Sequence, residues 1–350
     1  MSPKMSPTRR IAAIGVTAML AAAPAAAQSQ DKVASFYKDK TISVYIGADV
    51  GGGFTAYART VWLHAGQYIP GSPKIVLLNM PGAGSRKATA YVAAVAAKDG
   101  TAIGAPYPGA IVEPVFGDPK NVRYKPLAFG YIGSVDSSDY LCLSRTDSKV
   151  RTFSEAFQNE LVIGGDAKGS NLFYIANVLK NVLGAKFKIV NGYKGSHDIV
   201  MAMERGEVHG MCGYGWAALI SQAGYLVQQH KVNLLVQFAK KGEPEPTKLG
   251  APMVWDFVKT PEQRELLELV AAPQVFGRPY FLPAEAPRDR LTALRRAFDK
   301  VMKDPGFLAD ARKQKLSVTP ATGEEVEASV KQIFTASPAT LAKVRAAMND

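Results

Sequence analysis

Residues 75–85 read Ile-Val-Leu-Leu-Asn-Met-Pro-Gly-Ala-Gly-Ser and contain the pattern that decides the fold. The apolar run at 75–78 is typical of a strand buried on both faces. The glycine loop ends the strand, and apolar residues at helical spacing within 88–95 predict a helix after it. A strand, a glycine loop and a helix in succession indicate one unit of a sheet built from right-handed crossovers.

The same succession occurs three more times. An alternating strand at 42–46 precedes Gly51-Gly52-Gly53 and a helix whose apolar face extends over 58–69. A strand at 161–163 precedes a glycine loop, and Ser170 is predicted to cap a helix that ends at Gly184. A strand at 187–190 precedes a loop at 192–196 and a further helix. We therefore predict an α/β fold with two lobes, each a mostly parallel sheet flanked by helices.

The four glycine loops are predicted to lie where ligands bind. Each follows the carboxyl end of a strand, the edge at which open α/β sheets bind ligands. Glycine lets backbone N–H groups approach a ligand closely, and the helix that follows begins with partial positive charge. Two loops from each half would form a cleft suited to an anion. For any single loop the alternative is an ordinary turn between a strand and a helix.

Residues 1–27 have the features of a secretory signal peptide. Lys4, Arg9 and Arg10 form a basic start, and the apolar stretch 11–23 is too short to span a bilayer. Ala25-Ala26-Ala27 then offers a small-residue cleavage pattern. A membrane anchor that stays uncleaved is the alternative. We predict that the signal peptide is cleaved and that the protein is periplasmic.

The length and net charge of the chain limit the number of domains and the class of partner. The chain has 350 residues, which favours two domains. Its net charge of +12 becomes +9 when the three basic residues of the signal peptide are removed. The basic residues are dispersed, and the clusters at 240–241 and 295–296 are short. A solvated surface explains this charge better than a nucleic-acid partner does, so we expect no nucleic acid.

The chain contains two cysteines, Cys142 and Cys212, each in a strand-like segment. Two cysteines exclude a disulfide scaffold and a cysteine-based zinc module. Export would place both in an oxidising compartment, where a structural disulfide can form. Two buried free thiols are the alternative.

Catalytic motifs are absent from the sequence. It contains no Gly-x-Ser-x-Gly elbow and no Gly-x-x-x-x-Gly-Lys-[Ser/Thr] loop. The four histidines, at 64, 197, 209 and 230, show no close metal-ligand spacing. We therefore expect no cofactor, no metal ion and no catalytic residue. An enzyme that uses the same cleft, such as a hydrolase or isomerase of organic acids, is the alternative.

Taken in order, these motifs resemble the periplasmic substrate-binding proteins of tripartite tricarboxylate transporters, the TctC or Bug group. The resemblance covers essentially the whole mature chain. It rests on Gly51-Gly52-Gly53 with Ala58-Arg59, Asn79-Met80-Pro81-Gly82-Ala83-Gly84-Ser85, Lys98-Asp99-Gly100-Thr101, Gly169-Ser170, Tyr193-Lys194-Gly195 and Gly206-x-Val208. It implies a type II periplasmic-binding-protein fold. Lobe 1 would comprise 31–134 plus 245–350, and lobe 2 would be 135–244, with crossing strands near 135–144 and 236–246.

The resemblance also implies a function. A monomer would capture a small organic carboxylate in the cleft between the lobes and deliver it to two integral membrane transporter subunits. Backbone N–H groups, hydroxyls and bridging waters hold most ligands of the family. The ligand-binding residues implied here are Gly52, Gly53, Phe54, Thr55, Gly82, Ala83, Gly84, Ser85, Lys168, Gly169, Ser170, Tyr193, Lys194, Gly195 and Ser196.

Two positions depart from the family pattern. Thr55 stands where many members have Asp, and Phe173 stands where many have His. The loss of a carboxylate at Thr55 lowers the expectation of an amine-bearing ligand. Phe173 suggests an apolar or aromatic contact. Both could equally be neutral replacements away from the ligand.

Overall fold

The computed structural model describes residues 31–349 except 49, 51–52, 118–121, 138, 167–169 and 194. The predicted signal peptide and four of the predicted site residues, Gly52, Lys168, Gly169 and Lys194, lie outside the described residues. No helix in the described part of the chain is long and apolar enough to cross a membrane.

Six strands form the first sheet. They are β1 (Thr41–Ile46), β2 (Lys74–Asn79), β3 (Ala102–Ala105), β4 (Gly130–Ser134), β10 (Pro279–Leu282) and β11 (Ala321–Thr322). Their order is β11-β4-β10-β3-β1-β2. Strand β1 is parallel to β2 and β3, with Val44 opposite Leu77 on one side and Ile103 on the other. Strand β10 is antiparallel to β3 and β4, and β11 is antiparallel to β4.

Five strands form the second sheet. They are β5 (Tyr140–Arg145), β6 (Leu161–Gly164), β7 (Phe187–Val190), β8 (Gly210–Gly215) and β9 (Val232–Phe238), in the order β7-β6-β8-β5-β9. Strand β6 is parallel to β7 and β8, whereas β5 is antiparallel to β8 and β9. The two sheets are therefore mixed, and the predicted parallel units form only part of each. In the first sheet this is because β10 enters after the chain has passed through the second sheet.

Helices cover both faces of the first sheet. Helices Gly53–Ala65, Arg288–Val301 and Pro305–Lys313 pack on one face around the buried Trp62. Helices Arg86–Ala94, Pro108–Phe116 and Gly323–Phe334 pack on the other. The predicted layers of helix, sheet and helix are thus present in this lobe.

The second sheet is covered in the same way. Helices Ser196–Glu204, Trp216–Ala223 and Tyr225–Gln228 pack on one face. Helices Asn171–Leu183, Pro261–Ala271 and Pro338–Ala347 pack on the other. The last two come from the segment 245–350, which the predicted boundaries assign to lobe 1. Their packing differs from that assignment because Val270 and Val344 are buried in the core of the second sheet.

Shorter helical segments connect these elements. Residues 31–37 are helical, and a short α-helix covers Pro244–Lys248. The 3₁₀ helices are Gly66–Tyr68, Ala83–Ser85, Pro126–Ala128, Phe153–Phe157, Val254–Phe257 and Ala272–Phe276. The last of these leads the chain back from the second sheet to β10.

Strand β2 differs from its prediction. It lies at the edge of the first sheet, where Val76 is 41% exposed and Leu78 is 38% exposed. The prediction that 75–78 is buried on both faces is therefore wrong. An unbroken apolar run identifies a strand, but the chain topology decides whether that strand lies at the centre or at the edge of its sheet.

The two cysteines lie opposite each other on neighbouring strands. Cys142 of β5 pairs with Cys212 of β8, and the two form a disulfide with a Cα–Cα distance of 4.0 Å. Both side chains are fully buried. The bond joins positions that are 70 residues apart in sequence, so it closes a long loop in the unfolded chain.

Removal of this disulfide is expected to destabilise the fold. A bridge over a loop of this length constrains the unfolded ensemble and typically contributes about 2–4 kcal/mol. We expect the double variant Cys142→Ala/Cys212→Ala to lose that much free energy of unfolding, measured by denaturant titration. Wild-type protein treated with a reductant serves as the control and should unfold like the variant. Equal stability of the variant and the oxidised wild type would contradict the prediction.

Candidate functional site

A cavity of about 740 Å³ lies between the two sheets and is lined by both lobes. Its lining includes Phe54, Tyr107, Glu113 and Phe116 from elements of the first sheet, Ser170, Asn171, Tyr174, Ser196, Tyr214 and Trp216 from elements of the second, and Asp136, Asp139, Glu243, Gln274, Arg278 and Ser317 from connecting segments. A cavity of this size can hold a small organic molecule.

Several helices begin at this cavity, among them Ser196–Glu204 and the following three. Ser170 and Asn171 lie at the start of helix Asn171–Leu183, Trp216 begins helix Trp216–Ala223, and Tyr107 precedes helix Pro108–Phe116. The first turn of a helix has N–H groups without partners inside the helix and carries partial positive charge. These three helix starts can therefore offer N–H donors to an anion in the cavity.

The helix at Ser170 approaches β8 closely. The backbone of Gly213 has φ of +80°, and a Cβ atom there would lie 2.2 Å from the carbonyl oxygen of Asn171. The Asn171 side-chain amide donates to the Gly213 carbonyl. A glycine at 213 is thus needed to bring this helix start to the cavity wall.

Among the described residues that line the cavity, Arg278 provides the positive side chain. Its backbone N–H donates to the Ser134 hydroxyl at 3.0 Å, which fixes the residue at the start of β10. Its guanidinium carbon lies 3.9 Å from the centre of the Phe54 ring, a favourable cation–π arrangement. One side-chain nitrogen, Nη1, donates to the Gly277 carbonyl at 2.8 Å. The Nε atom is buried without a hydrogen-bond partner in the described structure.

Asp136, Asp139 and Glu243 also line the cavity, and we call them the acidic cluster. Asp136 is 6% exposed and accepts hydrogen bonds from the Thr319 hydroxyl at 2.8 Å and the Tyr57 hydroxyl at 3.3 Å. Burial raises the pKa of Asp136 to about 6, although these hydrogen bonds and Arg278 oppose the shift.

The pKa values of the other two members of the acidic cluster are raised as well. Burial, with the nearby Asp136 carboxylate, raises the pKa of Asp139 to about 6. Burial, with the carboxylates of Asp139 and Asp136, raises the pKa of Glu243 to about 7. Three carboxyl groups therefore lie together in the cavity wall. Ionisation of one disfavours ionisation of its neighbours. Among the described residues, no group of His, Cys, Asp and Glu side chains is arranged to hold a metal ion.

Gln274 is a buried amide in the same wall. It is 3% exposed, and its Nε2 donates to the Phe238 carbonyl at 2.9 Å. Its Oε1 atom is buried without a partner in the part of the chain that the structure describes. A buried acceptor without a donor is costly, so this oxygen is suited to a donor group of a ligand.

The structure places three of the predicted site residues in the cavity lining: Phe54, Ser170 and Ser196. The Ser170 hydroxyl accepts from the N–H of Phe173 at 3.2 Å, which confirms the predicted N-cap. The Ser196 hydroxyl donates to Gln222 at 3.2 Å. Phe173 is buried in its helix.

The predicted loop at 82–85 does not contribute to the described lining of this cavity. Gly82, Ala83 and Gly84 are exposed. The Ser85 hydroxyl donates to the Gly47 carbonyl at 2.7 Å and accepts from the Tyr107 N–H at 3.0 Å. Its single hydrogen is therefore used inside the fold, and its oxygen holds the residue before helix Pro108–Phe116.

The remaining predicted residues are also outside the described lining. Gly53 is exposed, whereas Thr55 is buried and accepts from the Asn79 amide at 2.7 Å. Tyr193 packs against the apolar core on the Ser196–Glu204 side of the second sheet. Gly195 directly precedes helix Ser196–Glu204.

Sequence reasoning missed the charged residues of the cavity. Asp136 and Asp139 lie in the short connection between β4 and β5, Glu243 directly follows Gly242, and Arg278 directly precedes β10. A signal was present, because each is a charged residue in a short connector next to an apolar run. Isolated charges in connectors are a weaker pattern than four glycine loops at strand ends.

Comparisons with known proteins agree with this architecture. No protein-family model and no curated protein matches the sequence. A solved TctC solute-binding protein from Polaromonas, without ligand, superposes with a TM-score of 0.71 at 16% identity, covering 89% of this chain and 98% of that one. MatC from Rhodopseudomonas palustris with bound malate has a TM-score of 0.55 at 17% identity, covering 89% and 99%. Rpa4515 from R. palustris with adipate has a TM-score of 0.56 at 17% identity, covering 88% and 97%.

The fold is therefore that of a two-lobed periplasmic solute-binding protein. Within that class, the structures it resembles are of the TctC and Bug type, the group that the sequence motifs indicate. The predicted resemblance is confirmed at the level of the fold.

The acidic cluster predicts how stability without ligand depends on pH. Its carboxyl groups have higher pKa values in the folded chain than their ordinary 3.8 to 4.5. The folded state therefore holds more protons than the unfolded state between these values and pH 6 to 7, and stability falls as the pH rises through that window. We expect Glu243→Gln to flatten this decline by about 1–3 kcal/mol between pH 5 and pH 8.

Denaturant unfolding of the two proteins across this range measures the effect. Glu285→Gln is a matched control, since Glu285 forms an exposed ion pair with Lys98 that lowers its pKa. Its titration lies below the window, so the control should keep the slope of the wild type. A Glu243→Gln slope equal to that of the wild type would contradict the prediction.

Proposed function

We propose that this protein is a periplasmic solute-binding protein that captures a small organic carboxylate in the cavity between its lobes. The observation that carries the proposal is Arg278, whose guanidinium lies in the cavity wall with a buried Nε that has no partner among the described residues. A guanidinium offers N–H donors in a geometry that matches a carboxylate. The three helix starts at the same cavity add backbone donors.

Related folds support the same ligand class. MatC contains malate and Rpa4515 contains adipate, both of which are dicarboxylates. The aromatic rings of Phe54 and Tyr107, whose centres are 4.2 Å apart, give this cavity an apolar side against which a carbon chain can pack. We infer that a ligand's carboxylate meets Arg278 while its carbon skeleton meets these rings.

We also infer that the protein binds without catalysing a reaction. Four serines, Ser137, Ser170, Ser196 and Ser317, belong to the described lining of the cavity. Ser170 caps its own helix and donates to Asp166, and Ser196 donates to Gln222. The described lining contains no histidine, cysteine or lysine, so a Ser–His or Cys–His pair that would provide an activated nucleophile is absent from it.

A solute-binding protein of this class would deliver its ligand to a membrane transporter. Export through the predicted signal peptide would place the mature protein in the periplasm, where it would present its ligand to two integral membrane subunits. We propose that the protein is a monomer whose two lobes close on the ligand. These are the predicted lobes, 31–134 plus 245–350 and 135–244, except that helices Pro261–Ala271 and Pro338–Ala347 move with the second sheet. The loop 82–85, Tyr193 and Gly195 would then reach the ligand through closure, because they lie at the carboxyl ends of β2 and β7.

Replacement of Arg278 tests the proposal. Loss of a charge-assisted hydrogen bond typically removes about 1.5–3 kcal/mol, which corresponds to about a tenfold to hundredfold weaker affinity. We expect Arg278→Met to weaken carboxylate binding by that factor in isothermal calorimetry, after a thermal-shift screen of mono-, di- and tricarboxylates has identified a ligand. The variant should retain the far-UV circular dichroism of the wild type.

Arg264→Met is the matched control, since Arg264 is exposed and pairs with Glu268 on the helix Pro261–Ala271. Its affinity should equal that of the wild type. Unchanged affinity in a folded Arg278→Met variant would show that the carboxylate is held elsewhere. Catalytic conversion of the bound acid, followed by NMR, would overturn the inference of binding without catalysis.

A further inference from the structure

Among the described residues that line the cavity, negative side chains outnumber positive ones. Glu113 forms an ion pair with Arg86 at 2.6 Å. The acidic cluster remains, with three carboxyl groups, and Arg278 is the positive side chain that faces it in the described lining. When all four groups are ionised, this part of the wall carries an excess of two negative charges. A ligand that brings only negative charge would increase the repulsion.

The opposite charges in the wall are bonded to neutral groups rather than to each other. Arg278 donates to a backbone carbonyl, and Asp136 accepts from the hydroxyls of Thr319 and Tyr57. Burial and neighbouring carboxylates raise the pKa values of Asp139 and Glu243, and in the described part of the chain no hydrogen bond to either carboxyl group contributes. Their carboxylate oxygens are therefore available to hydrogen-bond donors from a ligand.

Strand pairing holds the acidic cluster and Gln274 in one region. Tyr140, which directly follows Asp139, is opposite Phe238 across β5 and β9. The Gln274 amide donates to the carbonyl of that same Phe238. The neighbouring Gln237 accepts from the backbone N–H of Glu243 at 2.8 Å. The Gln274 Oε1 atom, buried and without a partner in the described structure, thus adds a fourth acceptor group to this wall.

We propose that the cavity binds a small amino carboxylate, with its carboxylate at Arg278 and its protonated amine at the acidic cluster and Gln274. This inference rests on the proposed function and narrows its ligand class. An ammonium group has three donors and no acceptor, so it matches a wall that offers carboxylate and amide oxygens. Its positive charge also removes part of the excess negative charge.

This assignment changes the expectation drawn from Thr55. By the sequence resemblance, Thr55 stands where many members of the group have Asp. The absence of that carboxylate lowers the expectation of an amine-bearing ligand. In this chain Thr55 is buried under the Asn79 amide. The carboxyl groups suited to an amine come instead from the connections between the sheets, at Asp136, Asp139 and Glu243.

Proton exchange on binding distinguishes the two kinds of ligand. The ionisable groups that act on the acidic cluster are its own members, Tyr57, Arg278 and Glu245. A bound ammonium lowers the pKa values of the three carboxyl groups, so binding at pH 7 releases protons. A ligand that brings only carboxylates raises these pKa values, so its binding takes up protons.

Calorimetry with matched pairs of acids provides the test. The probes are aspartate against succinate, glutamate against glutarate, and 4-aminobutyrate against butyrate, each titrated at pH 7 in two buffers with different ionisation enthalpies. We expect the amine-bearing member of at least one pair to bind at least tenfold more tightly and to release protons. Glu243→Gln and Asp139→Asn should each reduce this preference at least threefold, whereas Glu285→Gln should keep it.

The outcomes separate this inference from the proposed function. If amine-free acids bind as tightly or more tightly in every pair and take up protons, the amine site is refuted. A loss of that binding in Arg278→Met would then still support the carboxylate site. If neither member of any pair binds, the ligand class assigned here is refuted. Binding of other carboxylates in the thermal-shift screen would still support the proposed function.

Discussion

The arrangement of the cavity depends on two hydrogen bonds made by the serine at the end of β4. Ser134 is fully buried, and its hydroxyl donates to the carbonyl of Asp136 at 2.9 Å while accepting from the backbone N–H of Arg278 at 3.0 Å. One side chain thus joins the segment that leaves the first sheet to the segment that returns to it. Because both segments carry charged residues, this junction places a carboxylate and a guanidinium in the same cavity wall.

Desolvation decides the chemical character of that wall. The connecting segments lie between two apolar cores, so their charged groups lose water without gaining ion pairs with each other. The acidic cluster responds with raised pKa values, and Arg278 responds by stacking on Phe54. In the described structure, Arg278 Nε and Gln274 Oε1 therefore lack hydrogen-bond partners when no ligand is bound. Binding can supply the missing donors and acceptors, and under the proposed function these groups would favour a ligand that carries both.

The sequence was sufficient to predict the repeated local units but not their arrangement. The helix cap at Ser170, its end at Gly184 and the strands that precede the glycine loops are local properties, and the structure has them. The edge position of β2 and the packing of helix Pro261–Ala271 on the second sheet depend on chain topology, which periodicity does not encode. For the site, the glycine pattern identified Ser170 and Ser196. The charged residues of the wall come together only through the pairing of β5 with β9 and of β10 with β4.

Helices Pro261–Ala271 and Pro338–Ala347 pack on the core of the second sheet although they follow it in the chain. This packing affects how the lobes can move. The backbone passes between the lobes at 135–139, again through 272–278, and a third time between helices Gly323–Phe334 and Pro338–Ala347. Contacts tie these passages together: Val135 donates to the Arg278 carbonyl, and Ser329 donates to the Ala272 carbonyl. Three tethers restrict sliding and torsion between the lobes, and the first two of them line the cavity. A rotation that leaves these two passages in place would open and shut the part of the cavity away from them.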